Sequence, residues 1–412
     1  MVEHQSTRRL GVKRSEKLIL LVANFQCTSL TAQSCCNYLY HRNWQAGNSI
    51  AGDRVVPTSI HEAAEGFRWP ILDGTPKLEK MQSQLLELLA CPACYNSLSC
   101  SASECDAKGE IIVGLLTCDG CAKTYPIQNA IPRFVETQTY ADSFGYQWNR
   151  FKFEQSDENN HTRLSRRRFY SETDWTPEWM EGKWLLEAGC GSGRFVEVAS
   201  QTGANIVGVD LSASVLAARE VIGSRPNLHF VQASIYELPF RPGVFDGIYS
   251  IGVIQHTPDP KACLAALPRF LKPGGKIALT IYERRRWTMF HSKYWIRPIT
   301  RRMNSKLLLL LLTLFMPLLF LVTEVLFRVP YLGKVFRFII PVANYVQMKE
   351  LTWRQRYQWA LLDTFDMLAP AYDQPPTRQE VEIELSKTGI TKVRRLPNQG
   401  LNLVGVKMRE ND

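Results

Sequence analysis

The chain has 412 residues, 45% of them hydrophobic, and 49 Lys and Arg against 39 Asp and Glu give it a formal net charge of +10. Such length and apolar content exclude a chain too small or too polar to bury a core, and leave room for two or three domains. The basic balance points to an anionic partner or surface, whether nucleic acid, a membrane or a phosphorylated substrate, and does not choose among them. The first apolar stretch, Leu18 to Ala23, is too short for a secretory leader, so a reducing, cytoplasmic setting is expected.

Residues 1–80 show no clear periodicity, repeat or motif, and Cys27, Cys35 and Cys36 lack metal-ligand spacing. The expectation is a poorly ordered extension or an artefact of start-codon choice; the plainer alternative is a tail folded onto the next module. Met81 to Ala90 reads as an amphipathic turn or two. Eleven cysteines in a reducing setting need an explanation other than disulfides, and four of them supply it. Cys91-Pro92-Ala93-Cys94 and Cys118-Asp119-Gly120-Cys121 are two turns that each aim two thiolates at one point, a donor set suited to closed, structural zinc. With the text Tyr125-Pro126-Ile127 and Ile131-Pro132-Arg133-Phe134 behind them, residues 81–136 resemble the Trm112-like zinc ribbons. Cys100 and Cys105 fall in the connecting loop as bystanders. A redox role for either pair lacks a flanking thioredoxin-like strand and helix.

Residues 137–180 are aromatic and basic, from Tyr140 to Phe151 and on through Arg166-Arg167-Arg168-Phe169, and read as approach helices. The next segment, 181–283, carries the strongest signal. Leu185-Leu186-Glu187-Ala188 is a buried strand that runs into Gly189-Cys190-Gly191-Ser192-Gly193 and then a helix, a turn that lets backbone approach a ligand with helix N-terminal amides facing it. A dinucleotide fingerprint would require glycine where Arg194 stands. Ile206 to Asp210 forms a second strand ending in a carboxylate, which has acceptor capacity for two hydroxyl donors. Further strand signals lie at Leu228 to Gln232, Phe245 to Ser250, and Ile277 to Tyr282 after the turn Lys272-Pro273-Gly274-Gly275.

This combination, from about residue 140 to 408, resembles the class I S-adenosylmethionine methyltransferases of the type 11-like group. The resemblance implies an α/β, Rossmann-like fold with a seven-stranded, mostly parallel sheet closed by a C-terminal antiparallel hairpin. It also implies S-adenosylmethionine held by Glu187, Gly189, Gly191, Gly193, Asp210, Leu211, Ser234, Ile235 and Ser250. Ser234 departs from the acidic residue usual near the adenine amino group, and without charge assistance its contact should be weaker. Tyr146 or Trp148 would cover the cofactor, or else pack the approach helix onto the core. His256, in the loop after the fourth strand, is a candidate general base at near-neutral pKa, with structural capping as its alternative. Tyr282 and Arg284 could face the substrate. The Asn/Asp-Pro-Pro-Tyr/Phe stretch common in base methylation of nucleic acids is absent.

Residues 284–350 form an insert. Arg284, Arg285, Arg286, Lys293, Arg297, Arg301, Arg302 and Lys306 occur without an acidic residue among them, interleaved with Trp287, Tyr294 and Trp295. An apolar run follows from Leu307, broken by Pro317 and extending to Phe327, and a second lies between Val329 and Val346. The first is long enough to span a bilayer. However, the last two strands, Val393 to Pro397 and Leu401 to Met408, must rejoin the sheet, so the insert must return, either as a helical hairpin in one leaflet or as a lid. Basic residues with Trp and Tyr beside a leucine-rich helix suit a peripheral, monotopic anchor at the membrane surface; a lid, a dimer contact or a true span are the alternatives. Residues 351–412 supply helices and strands that complete the sheet, with Asp363, Asp366 and Tyr372 as candidates for substrate hydroxyl contacts and solvated helix surface as the default. The resulting expectation is methyl transfer to a small-molecule or lipid-linked acceptor, plausibly a saccharide, near the membrane. RNA methylation and a noncatalytic partner role of the Trm112-like kind are the alternatives. Oligomeric state leaves no sign in the sequence.

Overall fold

The computed structural model describes residues 80–107, 109–135, 139–398 and 400–409; the expectation for the N-terminal extension lies outside the described residues. Helix α1 (Lys80–Leu88) leads into four antiparallel strands, β1 (Leu98–Cys105), β2 (Ile111–Cys118), β3 (Thr124–Gln128) and β4 (Ile131–Pro132), hydrogen-bonded in that order. On β2 the buried residues Gly114, Leu116 and Cys118 alternate with exposed or half-buried ones, the period of two that gives a strand one inner face. Cys100 and Cys105 stand on β1 rather than in a loop, because the connection they were assigned to is itself paired with β2.

After α2 (Asp142–Arg150) and α3 (Leu164–Thr173), strand and helix alternate: β5 (Trp184–Ala188), α4 (Arg194–Ser200), β6 (Asn205–Asp210), α5 (Ser214–Ile222), β7 (Leu228–Gln232), β8 (Phe245–Ile251), α6 (Pro260–Ala266) and β9 (Leu271–Ile281). Three helices follow in the insert, α7 (Lys293–Thr300), α8 (Ser305–Leu326) and α9 (Leu332–Ile339), then α10 (Trp353–Leu368), α11 (Arg378–Lys387), β10 (Ile390–Arg395) and β11 (Leu401–Lys407). The sheet order is β10-β11-β9-β8-β5-β6-β7, with β5 to β9 parallel and β10 and β11 antiparallel. All five residues of β7 and four of five in β5 are buried, as a sheet covered on both faces requires. The chain leaves β5 toward β6 and β7, then returns to β8 on the other side. That reversal is a topological switch point, and it opens a crevice beyond the carboxyl ends of β5 and β8.

Two boundaries differ from expectation. β9 begins at Leu271, since the register against β8 jumps from Phe245↔Leu271 to Gly247↔Lys276 and takes in Pro273-Gly274-Gly275 as a bulge instead of a turn before the strand. β10 begins at Ile390, with Lys392 at φ +52 in a register shift opposite β11.

The ribbon is joined to the large sheet at β7. Phe134 N donates to Gln232 O at 2.8 Å, Leu89 pairs with Phe240, and Arg219 donates to both oxygens of Glu110 at 3.1 and 2.6 Å.

In the insert, α8 runs 22 residues through Pro317 without the expected break. Proline removes one intrahelical donor, but α8 is held along its length by packing, which overrides the local penalty. Leu308, Leu309, Leu312, Met316, Phe320 and Thr323 form its buried stripe. Leu312, Met316 and Phe320 join Ala360, Leu361 and Phe365 of α10 in one apolar cluster. The opposite face leaves Leu310, Leu314, Leu318, Leu321 and Val325 exposed. Across the α8–α10 seam, Glu324 is bonded by Arg356, whose side chain is 8% exposed, and by Arg328.

The basic run is also less free than it reads, because acids from outside it come to it. Arg284 pairs with Glu380 at 2.7 Å, Arg285 with Glu283 at 2.6 Å and Lys293 with Asp373 at 2.6 Å. Arg297 is buried and donates to the carbonyls of Met367 and Pro370 at 3.0 and 2.9 Å. Arg286, Arg301, Arg302 and Lys306 have no acidic partner within 4.0 Å among the described residues.

Candidate active site

The crevice at the switch point continues into a cavity of about 910 Å³, near the top of the range for single-ligand pockets and roomy enough for two ligands side by side. Its inner wall is the turn after β5. Gly189 and Gly191 have φ of +86 and +53, which L side chains adopt only under strain, and each is closely approached. A side chain at Gly189 would meet Val253 Cγ1 at 2.4 Å, and one at Gly191 would come 3.1 Å from Trp148 Nε1. The two readings of the approach helix thus divide between its aromatics. Trp148 lies over the glycine turn and lines the cavity, whereas Tyr146 packs on Phe365. Asn149 fixes α2 there by donating to Ala213 O at 3.0 Å.

Glu187, 2% exposed, lines the cavity, and its Oε2 has no hydrogen-bond partner among the described residues. Burial pushes its carboxyl well above the usual range, opposed by the Tyr249 hydroxyl nearby and reinforced by the charge of Asp210. The Tyr249 hydroxyl of β8, its neighbour in the core, is likewise buried and without a hydrogen-bond partner among the described residues. Asp210 Oδ2 accepts from Gly191 N at 3.0 Å, and Oδ1 accepts from Ser212 N and Ser212 Oγ, both at 2.8 Å. A carboxylate has about four acceptor sites. The two amides fill two of them and orient the group. The Ser212 hydroxyl has Ser214 Oγ at 2.9 Å as an alternative acceptor, which leaves capacity for a vicinal diol.

Leu211, Ile235 and His256 line the same cavity, whereas Gly193, Ser234 and Ser250 do not. Gly193 sits where Ile222 and Ala218 pack close against it. Ser234 Oγ accepts from Tyr236 N and caps a short turn, and Ser250 Oγ donates to Ala188 O at 2.7 Å, tying β8 to β5. Arg284 is held by Glu380 outside the cavity, while Tyr282 lines it.

His256 is buried between Phe144 and Tyr282, with ring centroids 5.4 and 5.6 Å away. Its Nδ1 lies 3.0 Å from the Tyr372 carbonyl. A carbonyl only accepts, so Nδ1 carries the proton, and in the neutral ring Nε2 holds a lone pair that has no partner among the described residues. Tyr372 therefore enters the site through its backbone.

Sequence reasoning named Asp363 and Asp366 but missed the rest of the polar floor. Arg168 donates to Glu172 at 2.9 Å, and Thr280 Oγ1 donates to the other Glu172 oxygen at 2.9 Å. Arg194 donates to Gln155 at 2.9 Å, Gln155 Nε2 donates to Asp363 Oδ1 at 3.1 Å, and the Tyr345 hydroxyl donates to Asp363 Oδ2. Burial pushes the Asp363 carboxyl up to about 6, opposed by the Tyr345 hydroxyl and reinforced by Asp366 nearby. Asp363 and Asp366 line the cavity, not a solvated helix face. No motif spacing announces these residues; the one signal was two carboxylates at i and i+3 in the apolar second half of α10.

Residues 186–279 match the family described as methyltransferase domain, and residues 82–129 match that described as Trm112p-like protein. The chain carries a class I methyltransferase domain. The ubiquinone biosynthesis O-methyltransferase of Dechloromonas aromatica is 32% identical over 108 residues, covering 26% of this chain and 47% of that protein. Its counterpart from Erwinia tasmaniensis is 31% identical over 121 residues, covering 29% and 47%. The chain spans about half the length of the curated relatives it matches. Among solved structures, the complex of the Haloferax volcanii Trm112 methyltransferase activator with a methyltransferase aligns at 14% identity with a TM-score of 0.38, over 65% of this chain and 98% of that one.

The cofactor a methyltransferase domain implies is S-adenosylmethionine, and the cavity-lining Glu187, the diol capacity of Asp210 and the glycine cradle fit it. In the Trm112-like region the Sγ atoms of Cys91, Cys94, Cys118 and Cys121 all lie within 4.8 Å of one another, with Cys91–Cys121 at 3.6 Å and Cys94–Cys118 at 3.4 Å. A tetrahedral zinc with Zn–S bonds of about 2.3 Å sets its sulfurs about 3.8 Å apart, so the cluster fits structural zinc.

Proposed function

We propose that the protein transfers a methyl group from S-adenosylmethionine to a small-molecule or lipid-linked acceptor, a saccharide among the candidates, at the cytoplasmic membrane surface. The pairing of the Glu187 carboxyl and Asp210 on the cavity wall at the switch point, with the glycine turn between them, carries this reading, because it offers acceptors to ligand hydroxyls beside open backbone. In this reading Glu187 and Asp210 hold the hydroxyls, Gly189 to Gly191 let the ligand approach backbone, and Leu211 and Ile235 flank the adenine. When bound, the cofactor supplies an electrophilic methyl group on a sulfonium. His256, its Nδ1–H anchored on Tyr372 O, keeps Nε2 free to take the proton from the acceptor atom as that atom attacks. Trp148 over the turn excludes water from this path.

The unpaired cations and outward leucines of the insert support a membrane-surface setting. The test is incubation with methyl-labelled S-adenosylmethionine and a fractionated extract of the protein's own cells. Label should enter the lipid or small-molecule fraction; label in RNA would replace the acceptor class. His256→Ala should lower the rate roughly 10²–10⁴-fold at unchanged cofactor affinity. A wild-type chain that binds no S-adenosylmethionine would overturn the whole reading.

A further inference from the structure

The cavity carries a large apolar and aromatic lining beside its charged groups. Arg168, Glu172 and the Asp363–Tyr345 pair line one part of it, and the insert adds Trp287, Tyr294 and Phe338 beside Arg285, Thr288, His291 and Lys293. Trp287, at the start of a short turn before α7, lines the cavity and is still 71% exposed, so it stands at the mouth. Phe338 of α9 is also a lining residue, its ring 5.3 Å from that of His291 and its carbonyl accepting from Ser292 N at 3.2 Å. Around these two the neighbouring side chains Met289, Phe290 and Ile339 are apolar and more than half exposed. Exposed apolar side chains clustered at a cavity mouth are a surface that an apolar partner covers.

Charge identifies what the rim faces. Arg286 adjoins Trp287, and Arg301, Arg302 and Lys306 lie between α7 and the exposed leucine face of α8, all four without an acidic partner among the described residues. Glu324 and Glu350, the acids of the insert, are committed to Arg356 and Arg167. Cations beside exposed Trp and Leu are complementary to an anionic bilayer, each cation near the surface strengthening partitioning roughly fivefold. A spanning orientation is disfavoured by the same packing that straightens α8: its inner stripe is bound to α10, whose Arg356, Gln355 and Asp363 would be carried into hydrocarbon. α8 therefore suits an in-plane position with its outer leucines in one leaflet.

We infer that the mouth between Trp287 and Phe338 opens into a bilayer leaflet, and that the acceptor is an amphipathic lipid that enters laterally, its polar head reaching His256 while its hydrocarbon tail stays among Trp287, Met289 and Phe290. This rests on the methyl-transfer reading and adds to it the acceptor class and its route.

The test uses the full chain, saturated with S-adenosylhomocysteine, and two probes. The first is flotation with vesicles of phosphatidylcholine with or without a minority of phosphatidylglycerol. The second is the affinity of 4-propyl-, 4-octyl- and 4-dodecylphenol in vesicle-free buffer. Flotation should require phosphatidylglycerol and be lost in Arg301→Glu/Arg302→Glu. Dodecylphenol should bind at least tenfold more tightly than propylphenol, given about fourfold per buried methylene. Trp287→Ser/Met289→Ser/Phe290→Ser, which alters only exposed side chains, should abolish that preference at unchanged S-adenosylhomocysteine affinity. Indifference to tail length, a tail preference that survives in the rim variant, or flotation independent of both sets of changes would each overturn the portal and leave the cofactor reading standing. Failure of the wild type to bind S-adenosylhomocysteine would instead remove the methyl-transfer reading.

Discussion

Gly189→Ala tests how the two walls of the cofactor crevice are fitted together. At φ +86 an alanine is strained by about 1–2 kcal/mol. Its Cβ would also lie 2.4, 2.5 and 2.9 Å from Cγ1, Cγ2 and Cβ of Val253, inside any real contact distance. Val253 is β-branched and stiff at χ1, so it cannot swing both methyls away, and overpacking of this kind costs about 1–3 kcal/mol. The expected loss is about 2–5 kcal/mol, a large fraction of the roughly 5–15 kcal/mol that holds a domain together. Val253→Ala removes the two Cγ atoms but leaves the backbone strain. The double variant should therefore recover about 1–2 kcal/mol as a coupling energy, and not the whole loss. Urea unfolding followed by far-UV circular dichroism on the four chains of the cycle measures it. A Gly189→Ala chain within about 0.5 kcal/mol of wild type, or a cycle without coupling, would refute the fit between turn and loop.

Three further outcomes follow from other parts of the fold. His229 is buried, stacked on Trp184 at 5.8 Å, and burial holds its pKa down to about 4 against the ordinary 6.5. The unfolded chain takes the proton first, so the full stability contribution is present above pH 6.5 and is lost as pH falls through about 4, roughly 3 kcal/mol in all. Urea midpoints across that window should fall in wild type and flatten in His229→Gln; parallel curves would refute the assignment. Glu324→Ala strands the Arg356 guanidinium and should cost about 3–5 kcal/mol, much of it restored by Arg356→Leu in the same chain. Hydrogen exchange should then quicken first in α8 and α10. Finally, Cys118→Ser should remove the one zinc expected per chain by elemental analysis and loosen the ribbon, whereas Cys100→Ser should keep the metal.

What the sequence made legible was chemistry written in short spacing. Glu187, the glycine turn and Asp210 stand at strand ends whose apolar runs identify themselves, and the cysteine pairs carry their geometry in two intervening residues. The polar floor was hidden because Gln155, Arg168, Tyr345 and Asp363 meet only after the approach helices and α10 fold over the sheet. The basic run misled in the opposite sense. Its partners Glu380 and Asp373 lie beyond the insert and Glu283 just before it, so a stretch without acids still forms internal pairs. Pro317 shows tertiary packing overriding a local breaker, and Ser250 shows that a hydroxyl near a ligand site can be fully engaged in joining two strands.

The union of ribbon and catalytic sheet at Gln232, Phe240 and Arg219 changes how that contact is governed. Between separate proteins such an interface would form or dissolve with the supply of each partner. Within one chain it sees a local concentration of millimolar order, which keeps even a modest interface closed. The stoichiometry is then fixed at one to one at every expression level, and synthesis of the enzyme and of its ribbon becomes a single event.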